Sequence, residues 1–264
     1  MKNKKAKKVM VYCLKGGIGK STTVITAGKE FAKKGYKVLI VDNDPQANIS
    51  RTLLGDRIYD DDYTSMRELF VPSVNEETIN KAIYNIDDNL DVIGSDMKLC
   101  NKEIELQGNM MCDRARVIDK IMKKVEDKYD LILLDFNPYP SLLMTNGIMT
   151  SDFVIIPTAC EEWSAEGVAG TISLINQIES GFAKKTKYKV FINGYGKTND
   201  DKKFIKDIEE QLNEDEIFKT KIRYQSKPFK DKRVSVVAFN NGDTNVGREW
   251  AELLKEFESY IFEN

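Results

Sequence analysis

The sequence predicts an α/β fold, in which a mostly parallel, twisted sheet is flanked by helices on both faces. Short apolar, β-branched runs alternate with runs of helical periodicity along the 264 residues, which is the pattern of a parallel sheet. Several of the short runs are apolar at every position, as expected for strands that are buried on both faces. A glycine- and lysine-rich segment, residues 15–22, joins the first apolar run to the first helical run, where sheets of this kind bind phosphate groups.

The elements alternate in order along the chain. Predicted strands cover residues 9–13, 37–41, 90–93, 131–134, 153–156, 189–192 and 218–222. Predicted helices cover residues 21–34, 76–84, 97–106, 114–128, 165–180, 202–211 and 248–262. Gly35 fits the end of the first helix, because glycine tolerates the left-handed backbone found there. No repeat or linker interrupts the alternation, so we expect one domain over residues 1–264, with residues 1–8, five of them lysine, as a flexible basic tail.

The composition excludes several classes of chemistry. The chain has no histidine, so no mechanism can use an imidazole as a base or a metal ligand. Its four cysteines are widely spaced and form no CxxC pair, which argues against a thiolate zinc site. Carboxylates, lysines, backbone amides and a bound metal ion remain. These groups suffice for phosphoryl transfer, which depends mainly on positioning and charge neutralisation.

Nothing in the sequence points to a membrane. The N-terminus is polar and basic with no apolar segment after it, and no apolar run approaches ~18 residues. We therefore expect a cytoplasmic protein in a reducing compartment. The formal net charge of −2 neither favours nor excludes nucleic acid as a partner, so the local distribution of charge has to decide.

The segment 15–22 is predicted to be a phosphate-binding loop. Its glycines let the backbone wrap around phosphate oxygens, and Lys20 adds a positive charge near the β- and γ-phosphates. Ser21 can offer its hydroxyl to Mg²⁺. Leu14 stands where the common pattern has its first glycine, and a second lysine, Lys15, opens the loop. The predicted nucleotide-binding residues of the loop are Lys15, Gly16, Gly17, Ile18, Gly19, Lys20, Ser21 and Thr22.

Three aspartates are predicted to lie beside this loop. Asp42 and Asp44 follow the second strand, and Asp135 closes the apolar run 131–134. Ligands of open α/β sheets bind beyond the carboxyl ends of the strands, so all three carboxylates should meet the phosphates. That placement is unfavourable unless Mg²⁺ or an attacking water needs the charge. The alternative for Asp42 and Asp44 is a turn before Pro45.

These segments resemble the ParA/MinD group of ATPases with a deviant Walker A loop, KGGxGK[ST]. The stretch Asp42 to Gln46 matches the D-x-D-P-Q motif of that group, and residues 157–167 resemble its P-x-x-x-E stretch. The resemblance is closest to small ParA-type partition ATPases and covers nearly the whole chain. It implies a P-loop NTPase fold that binds ATP or ADP with Mg²⁺ and hydrolyses ATP. After Asp135, Asn137 replaces one of two prolines usual in the group.

The resemblance also implies roles for single residues. Lys15 would reach the phosphates of the partner subunit in an ATP-dependent, face-to-face homodimer. Lys15, Lys20 and Asp44 would serve catalysis, Asp44 by positioning the hydrolytic water. Ser21, Asp42 and Asp135 would form the metal side of the site. Asn193 and Pro228 are candidate adenine contacts, and the alternative for Asn193 is a turn residue that ends a strand.

A basic segment follows near the C-terminus. Residues 219–233 contain seven lysines and arginines and one acid. In ParA-type proteins this region binds nonspecific double-stranded DNA, which implies contacts by Lys197, Arg223, Lys227 and Lys230. The alternative is an ordinary solvated face. The resemblance further implies a ParB-type centromere-binding partner that stimulates hydrolysis, and a nucleoid-associated location.

Rival functions of related folds are weaker. A MinD-like membrane-positioning ATPase needs a basic amphipathic last helix, whereas residues 249–264 contain five glutamates and one lysine. An ATPase that positions a protein cargo would share the motifs and differ only in its partner. An iron–sulfur reductase is disfavoured because Cys100 and Cys112 lie outside cluster motifs. A dinucleotide oxidoreductase is disfavoured because Thr22 stands at the third glycine position.

Overall fold

The computed structural model confirms the predicted sheet. It describes residues 5–108, 113–161, 163–224, 235–236 and 245–263. Eight strands form one sheet in the order β3-β4-β2-β5-β1-β6-β7-β8, and only the β3–β4 pair is antiparallel among these strands. The strands are β1 (Lys7–Val11), β2 (Val38–Asp42), β3 (Ile83–Asp87), β4 (Leu90–Ile93), β5 (Leu131–Asp135), β6 (Phe153–Thr158), β7 (Lys187–Tyr195) and β8 (Ile222–Arg223).

Helices cover both faces of the sheet. They are α1 (Lys20–Lys33), α2 (Asn48–Leu54), α3 (Met66–Leu69), α4 (Glu76–Lys81), α5 (Leu99–Gln107), α6 (Val117–Met122), α7 (Leu142–Thr150), α8 (Ser164–Phe182), α9 (Asn199–Gln211) and α10 (Asn245–Phe262). Short 3-10 turns cover Gly55–Tyr59, Arg114–Arg116, Glu126–Lys128 and Glu214–Glu216. The helices α1 and α10 share one apolar core with the sheet, while α6, α7 and α8 share the other.

The central strand β1 ends at the edge of the sheet where the candidate site lies. The side chains of β1 and of Tyr12, the residue after it, alternate between the two cores, with Val9 and Val11 in one and Met10 and Tyr12 in the other. The strand β5, which pairs with β1, and the strand β2, which pairs with β5, are buried along their whole length. Because these parallel strands end at the same edge, the segments that follow β1, β2 and β5 meet there.

The helix α10 buries its apolar face in the core. Trp250, Leu253, Phe257 and Ile261 are buried against the sheet, where Phe257 contacts Phe191 and Phe218. This face is therefore unavailable to a lipid surface, which agrees with the sequence argument against a MinD-like helix. Within the described part of the chain, no helix combines the length and the apolarity that a membrane span requires.

Several elements differ from their sequence-based predictions. The predicted helix 76–84 ends at Lys81, and β3 begins at Ile83 because Ile83, Tyr84 and Asn85 pair with β4 along the sheet edge. The predicted helix 114–128 is broken into α6 and two 3-10 turns. The helix α7 was not predicted; it is buried nearly all round, so it has no helical periodicity of polarity to detect.

The expected flexible tail over residues 1–8 is wrong for residues 5–8, the part that the structure describes. Lys7 already begins β1. The ammonium groups of Lys5 and Lys8 each lie 2.6 Å from a carboxylate oxygen of Glu126, which is only 2% exposed. A buried carboxylate needs cationic partners, so the basic residues here anchor the start of the sheet.

Close packing behind Asp135 gives the first testable prediction. A Cβ at Gly147 of α7 would lie 2.5 Å from Cζ of Phe136, the residue after Asp135. We expect Gly147→Ala to lower the free energy of unfolding by about 1–3 kcal/mol through overpacking. Gly181→Ala in α8 is the matched control, because no atom lies within 4 Å of its Cβ position. Urea denaturation measures both, and a Gly147→Ala variant as stable as the parent would contradict the packing.

Candidate functional site

A cleft of about 520 Å³ opens at the carboxyl ends of β1, β2 and β5. It contains the predicted phosphate loop and one of the predicted aspartates on its surface. The lining residues are Gly16, Gly17, Gly19, Lys20, Ser21, Thr22, Ile25, Asp44, Gln46, Asn48, Thr52, Phe136, Asn137, Pro138 and Tyr139. The lining residues that were predicted as site residues are Gly16, Gly17, Gly19, Lys20, Ser21, Thr22 and Asp44.

The loop backbone is shaped to receive an anion. Gly17 and Gly19 have φ angles of 78° and 89°, a left-handed conformation that favours glycine. Gly19 directly precedes α1, and no side chain caps that helix end. Its first backbone N–H groups therefore point into the cleft without an intrahelical partner, as donors for phosphate oxygens.

Lys20 brings a buried positive charge to the loop. Its side chain is 8% exposed, and its ammonium group donates a hydrogen bond to the carbonyl oxygen of Lys15 at 2.8 Å. Burial lowers the pKa of Lys20, while the nearby carboxylates of Asp135 and Asp44 act in the opposite direction. The ammonium keeps further N–H donors, which a phosphate would satisfy.

Ser21 and Asp135 form the candidate metal side. The Ser21 hydroxyl donates to Oδ2 of Asp135 at 2.6 Å, and Oδ1 of Asp135 is buried without a hydrogen-bond partner. Burial, followed by the neighbouring Asp42 carboxylate, raises the pKa of Asp135 well above its usual value. An orphaned carboxylate oxygen beside a serine hydroxyl is what a bound cation would satisfy, so these residues fit Mg²⁺.

The protein alone does not complete a metal site. Among the residues that the structure describes, no group of three or more histidine, cysteine, aspartate or glutamate side chains could hold a metal ion. Mg²⁺ commonly takes only one or two protein ligands and fills the rest with phosphate oxygens and water. The arrangement therefore fits a metal that arrives with a nucleotide.

Asp42 is fully buried and fixed by Ser50. Oδ2 of Asp42 accepts hydrogen bonds from the backbone N–H of Ser50 at 2.9 Å and from its hydroxyl at 2.6 Å. Oδ1 accepts from the backbone N–H of Asp44 at 3.1 Å. Burial raises the pKa of Asp42 to about 6, against these hydrogen bonds. Both oxygens are engaged, which suits a supporting role beside Asp135, its in-register neighbour.

Ser50 is a residue that the sequence analysis missed. Besides holding Asp42, its hydroxyl oxygen accepts a hydrogen bond from the backbone N–H of Ser95 at 2.7 Å. It thereby ties the end of β2 to the turn after β4. The local sequence offers one signal for the role of Ser50, its position in α2, and this short helix was not predicted.

Asp44 reaches the cleft itself. Oδ1 accepts a hydrogen bond from the backbone N–H of Gln46 at 2.8 Å, so the side chain closes the turn that was the alternative prediction. It also lines the cleft opposite the loop, and burial raises its pKa while Lys20 lowers it. Asp44 therefore both closes the turn and lines the cleft.

Lys15 lies outside the walls of its own cleft. Its ammonium nitrogen is 3.3 Å from Oε2 of Glu161, just before α8. Thr171 of α8 accepts a hydrogen bond from the backbone N–H of Leu14 at 3.1 Å, which ties the start of the loop to that helix. A Cβ at Gly167 would lie 3.3 Å from Cβ of Lys15, so the helix passes close to the loop. Roles for Glu161 and Thr171 were not predicted.

The candidate adenine contacts stay predictions. The amide nitrogen of Asn193 donates to the carbonyl oxygen of Ile18 at 2.8 Å, so Asn193 braces the phosphate loop from β7. A Cβ at Gly19 would lie 2.6 Å from that nitrogen, which shows how closely the two segments meet. Pro228 lies outside the described residues.

The predicted DNA surface is only partly described. Lys227 and Lys230 lie outside the described residues, and Lys197 is exposed. The guanidinium of Arg223 contacts Oε1 of Glu249 through Nε at 2.7 Å and through a terminal nitrogen at 2.6 Å. Lys221 pairs with Glu209 at 2.7 Å. Arg223 and Lys221 thus already form ion pairs with acidic residues of the same chain.

Comparison with known proteins shows the family of this chain. A family model described as AAA domain, AAA_31, matches residues 6–189. Relatives include the chromosome-partitioning ATPase Soj of Treponema pallidum, 32% identical over 63% of this chain and 62% of that protein. The ParA family protein pGP5-D of Chlamydia psittaci is 29% identical over 97% of this chain and 96% of its own length. The resemblance to ParA-type partition ATPases is thereby confirmed.

The similarity does not extend over the whole of every relative. The chain spans about half of the length (52%) of an uncharacterized Mycobacterium tuberculosis protein, MT1749, which is 34% identical over 65% of this chain.

Solved structures share the fold. A plasmid partition protein from Borrelia burgdorferi bound to AMPPNP has a TM-score of 0.77 at 24% identity, covering 98% of this chain and 100% of its own. A cobyrinic acid a,c-diamide synthase from Mycobacterium smegmatis, with an ATP analogue and magnesium, has a TM-score of 0.77 at 21% identity, covering 96% of each chain.

The burial of Asp135 gives a prediction about pH. Its raised pKa means that the folded protein holds a proton that the unfolded chain releases, so stability falls as pH rises from about 4 through the folded pKa. Asp135→Asn cannot ionise, so without metal and nucleotide it should melt higher than the parent at pH 8. We expect its melting temperature to exceed that of the parent by about 2–4 °C for each kcal/mol of destabilisation that the substitution removes. This difference in melting temperature should narrow toward pH 5.

Thermal melts across pH test this expectation, with Asp56→Asn as the control because Asp56 is exposed and lies outside the cleft. Parallel melting curves for the parent and Asp135→Asn would contradict it. The same variant should lose magnesium-dependent nucleotide binding, since Asp135 carries the orphaned oxygen of the site.

Proposed function

This chain belongs to the AAA domain family AAA_31, and on that premise we propose that it is an ATP-dependent DNA partition ATPase of the ParA type. In this proposal an ATP-bound homodimer binds nonspecific double-stranded DNA and releases it after a partner stimulates hydrolysis. The observation that carries the proposal is the different placement of the two loop lysines. Lys20 lines its own cleft, whereas Lys15 lies outside that cleft with its ammonium beside Glu161.

ATP is the substrate that suits the cleft. The loop amides, Lys20 and the Ser21–Asp135 pair provide donors and a metal side for a triphosphate. The partition protein of Borrelia burgdorferi binds AMPPNP, and the Mycobacterium smegmatis enzyme binds an ATP analogue with magnesium. For this chain we propose ATP with Mg²⁺ as the bound state and ADP as the product.

The residues of the cleft have separate roles in ATP hydrolysis. Lys20 and the loop amides bind the β- and γ-phosphates and neutralise charge that shifts toward them in the transition state. Ser21 and Asp135 would hold Mg²⁺, which when bound supplies further charge neutralisation. Asp44 accepts a hydrogen bond from the attacking water and orients it toward the γ-phosphate. Ser50 and Asp42 keep that segment in place by their hydrogen bonds.

A second subunit would complete the site. Lys15 has its ammonium beside Glu161 at the start of α8, an ion pair whose two side chains are 22% and 65% exposed. Such a pair contributes little stability at a surface, so it can be exchanged for a more strongly charged partner. The triphosphate of a facing subunit is that partner in the proposed dimer.

DNA binding, a ParB-type partner and a nucleoid location in the cytoplasm complete the proposal. Lys197, Arg223, Lys227 and Lys230 are the proposed DNA contacts. Since Arg223 is paired with Glu249, phosphate contact would have to replace or share that carboxylate. A MinD-like or protein-cargo positioning ATPase is the alternative. The buried apolar face of α10 argues against the MinD-like form.

Lys15→Ala separates nucleotide binding from dimerisation. We expect the variant to bind ATP with near-parental affinity, because Lys15 does not line its own cleft, and to stay monomeric. Lys20→Ala is the matched lysine variant and should abolish nucleotide binding. Calorimetry gives the affinities and sedimentation gives the mass. An ATP-loaded Lys15→Ala dimer would count against the cross-subunit role.

Retention on DNA tests the function as a whole. We expect parental protein to be retained on sequence-unrelated duplex DNA with ATP–Mg²⁺ and released with ADP–Mg²⁺ or at higher salt. Asp44→Ala should stay an ATP-bound dimer on DNA, because its water is no longer oriented. Parental hydrolysis by Asp44→Ala would refute the role of Asp44. ATP-driven dimerisation without DNA retention would favour the cargo-positioning alternative.

A further inference from the structure

One hydrogen bond joins the phosphate loop to a strand that is not paired with the strand leading into the loop. The side-chain amide of Asn193, in β7, donates to the backbone carbonyl oxygen of Ile18 at 2.8 Å. In the sheet, β6 lies between β7 and β1, and β1 leads into the loop. The contact therefore passes the end of a whole strand.

The end of β6 leaves room for this contact. The strand ends at Thr158, which pairs with Ile192 of β7. Asn193 is the next residue of β7, so it stands just beyond the last paired position of β6. The pairing of β7 with β8 is irregular between Asn193 and Tyr195, where Gly194 has a φ angle of 85°. Irregularities of this kind change the direction of neighbouring side chains beside active sites.

Asn193 and the loop fit closely together. A Cβ at Gly19 would lie 2.6 Å from the amide nitrogen of Asn193, so a side chain at Gly19 would force a shift. Ile18, whose carbonyl accepts the hydrogen bond, is 3% exposed. Neither Asn193 nor Ile18 is among the residues that line the phosphate cleft. Asn193 therefore contacts the loop from the protein side and not from the cleft.

The hydrogen bond fixes the direction of one loop amide. Cis peptide bonds are absent from the part of the chain that the structure describes, so the carbonyl of Ile18 and the N–H of Gly19 point in opposite directions. Asn193 holds this carbonyl on the side away from the cleft, and Gly19 lines the cleft. The N–H of Gly19 therefore points toward the cleft. Among the described residues it has no hydrogen-bond acceptor.

Two further carbonyl groups are held from within the same segment. The ammonium group of Lys20 donates to the carbonyl oxygen of Lys15 at 2.8 Å. The backbone N–H and the hydroxyl of Thr23 both donate to the carbonyl oxygen of Gly19 at 2.8 Å. These bonds lie within the loop and the first turn of α1, so they move with the segment. The bond from Asn193 instead ties the loop to the sheet.

We propose that Asn193 is a positioning residue, which presets the N–H of Gly19 to donate to a phosphate oxygen of the nucleotide. A donor that is already oriented costs less to order on binding than one that is free to turn. This proposal rests on the proposed function in taking the bound group to be the triphosphate of ATP. It differs from the adenine contact that was predicted for Asn193, because here the side chain acts through the loop and not on the base.

The test compares Asn193→Ala, which removes the donor, with Asn176→Ala on the exposed face of α8 as the matched control. Asn193→Asp is the second variant, because an ionised carboxylate keeps the shape of the side chain and has no N–H donor. NMR spectra of the isotope-labelled, nucleotide-free chain report on the Gly19 amide. Calorimetry measures the affinity for ATP–Mg²⁺ and for tripolyphosphate–Mg²⁺, which has no base.

We expect the amide nitrogen resonance of Gly19 to move in Asn193→Ala and to stay in place in the control. A hydrogen bond to a carbonyl polarises the conjugated peptide group, so its loss changes the shielding of the nitrogen in that group. The affinities for ATP and for tripolyphosphate should fall by the same factor, about tenfold, because the weakened donor serves phosphate. A purely structural role of Asn193 would lower stability without moving this one resonance.

Three results would overturn the proposal. They are an unchanged Gly19 resonance in both Asn193 variants, an unchanged affinity for ATP, and a loss confined to ATP with the affinity for tripolyphosphate intact. The last result would make Asn193 an adenine contact. A parental chain that binds no ATP, but whose Gly19 resonance moves in Asn193→Ala, would instead refute the proposed function and support the link between Asn193 and the loop.

Discussion

The structure depends on the burial of two aspartates side by side at the ends of adjacent strands. Asp42 and Asp135 occupy the same register position on β2 and β5 and are almost fully buried. Burial raises both pKa values, and the neighbouring Asp42 carboxylate raises the pKa of Asp135 further, which destabilises the ionised pair at neutral pH. Ser50, Ser21 and the nearby Lys20 offset part of this penalty. The orphaned oxygen of Asp135 leaves room for an arriving cation to offset more.

The parallel sheet separates two kinds of charged surface. At the carboxyl ends, glycine backbone, a helix terminus and one buried lysine form an enclosed site for a phosphate chain. At the amino ends, lysines of β1 and β7 border an open depression without such a backbone cradle. The first arrangement fits a specific group by its geometry, whereas the second places several lysine side chains at an open surface.

Local patterns in the sequence predicted much of the candidate site. The loop 15–22, the D-x-D-P-Q stretch and the aspartate after an apolar strand each depend on neighbours in the chain, so their roles are visible without coordinates. Ser50 and Thr171 were missed because their partners, Asp42 and Leu14, lie in other segments. Glu161 belongs to the P-x-x-x-E stretch, but its contact with Lys15 was missed for the same reason. The helix α7 was missed since burial on nearly every side removes the polar periodicity that marks a surface helix.

The sequence by itself determined the α/β class, the central strands, the phosphate loop and the three aspartates, because periodicity and motif spacing are local properties of the chain. Only the tertiary structure decided which charges are neutralised. It paired Arg223 with Glu249, bound Lys5 and Lys8 to Glu126, and left Lys7 and Lys187 converging on Phe153. Those outcomes depend on distances between residues far apart in the chain, and Coulomb energies follow distance in space rather than in sequence.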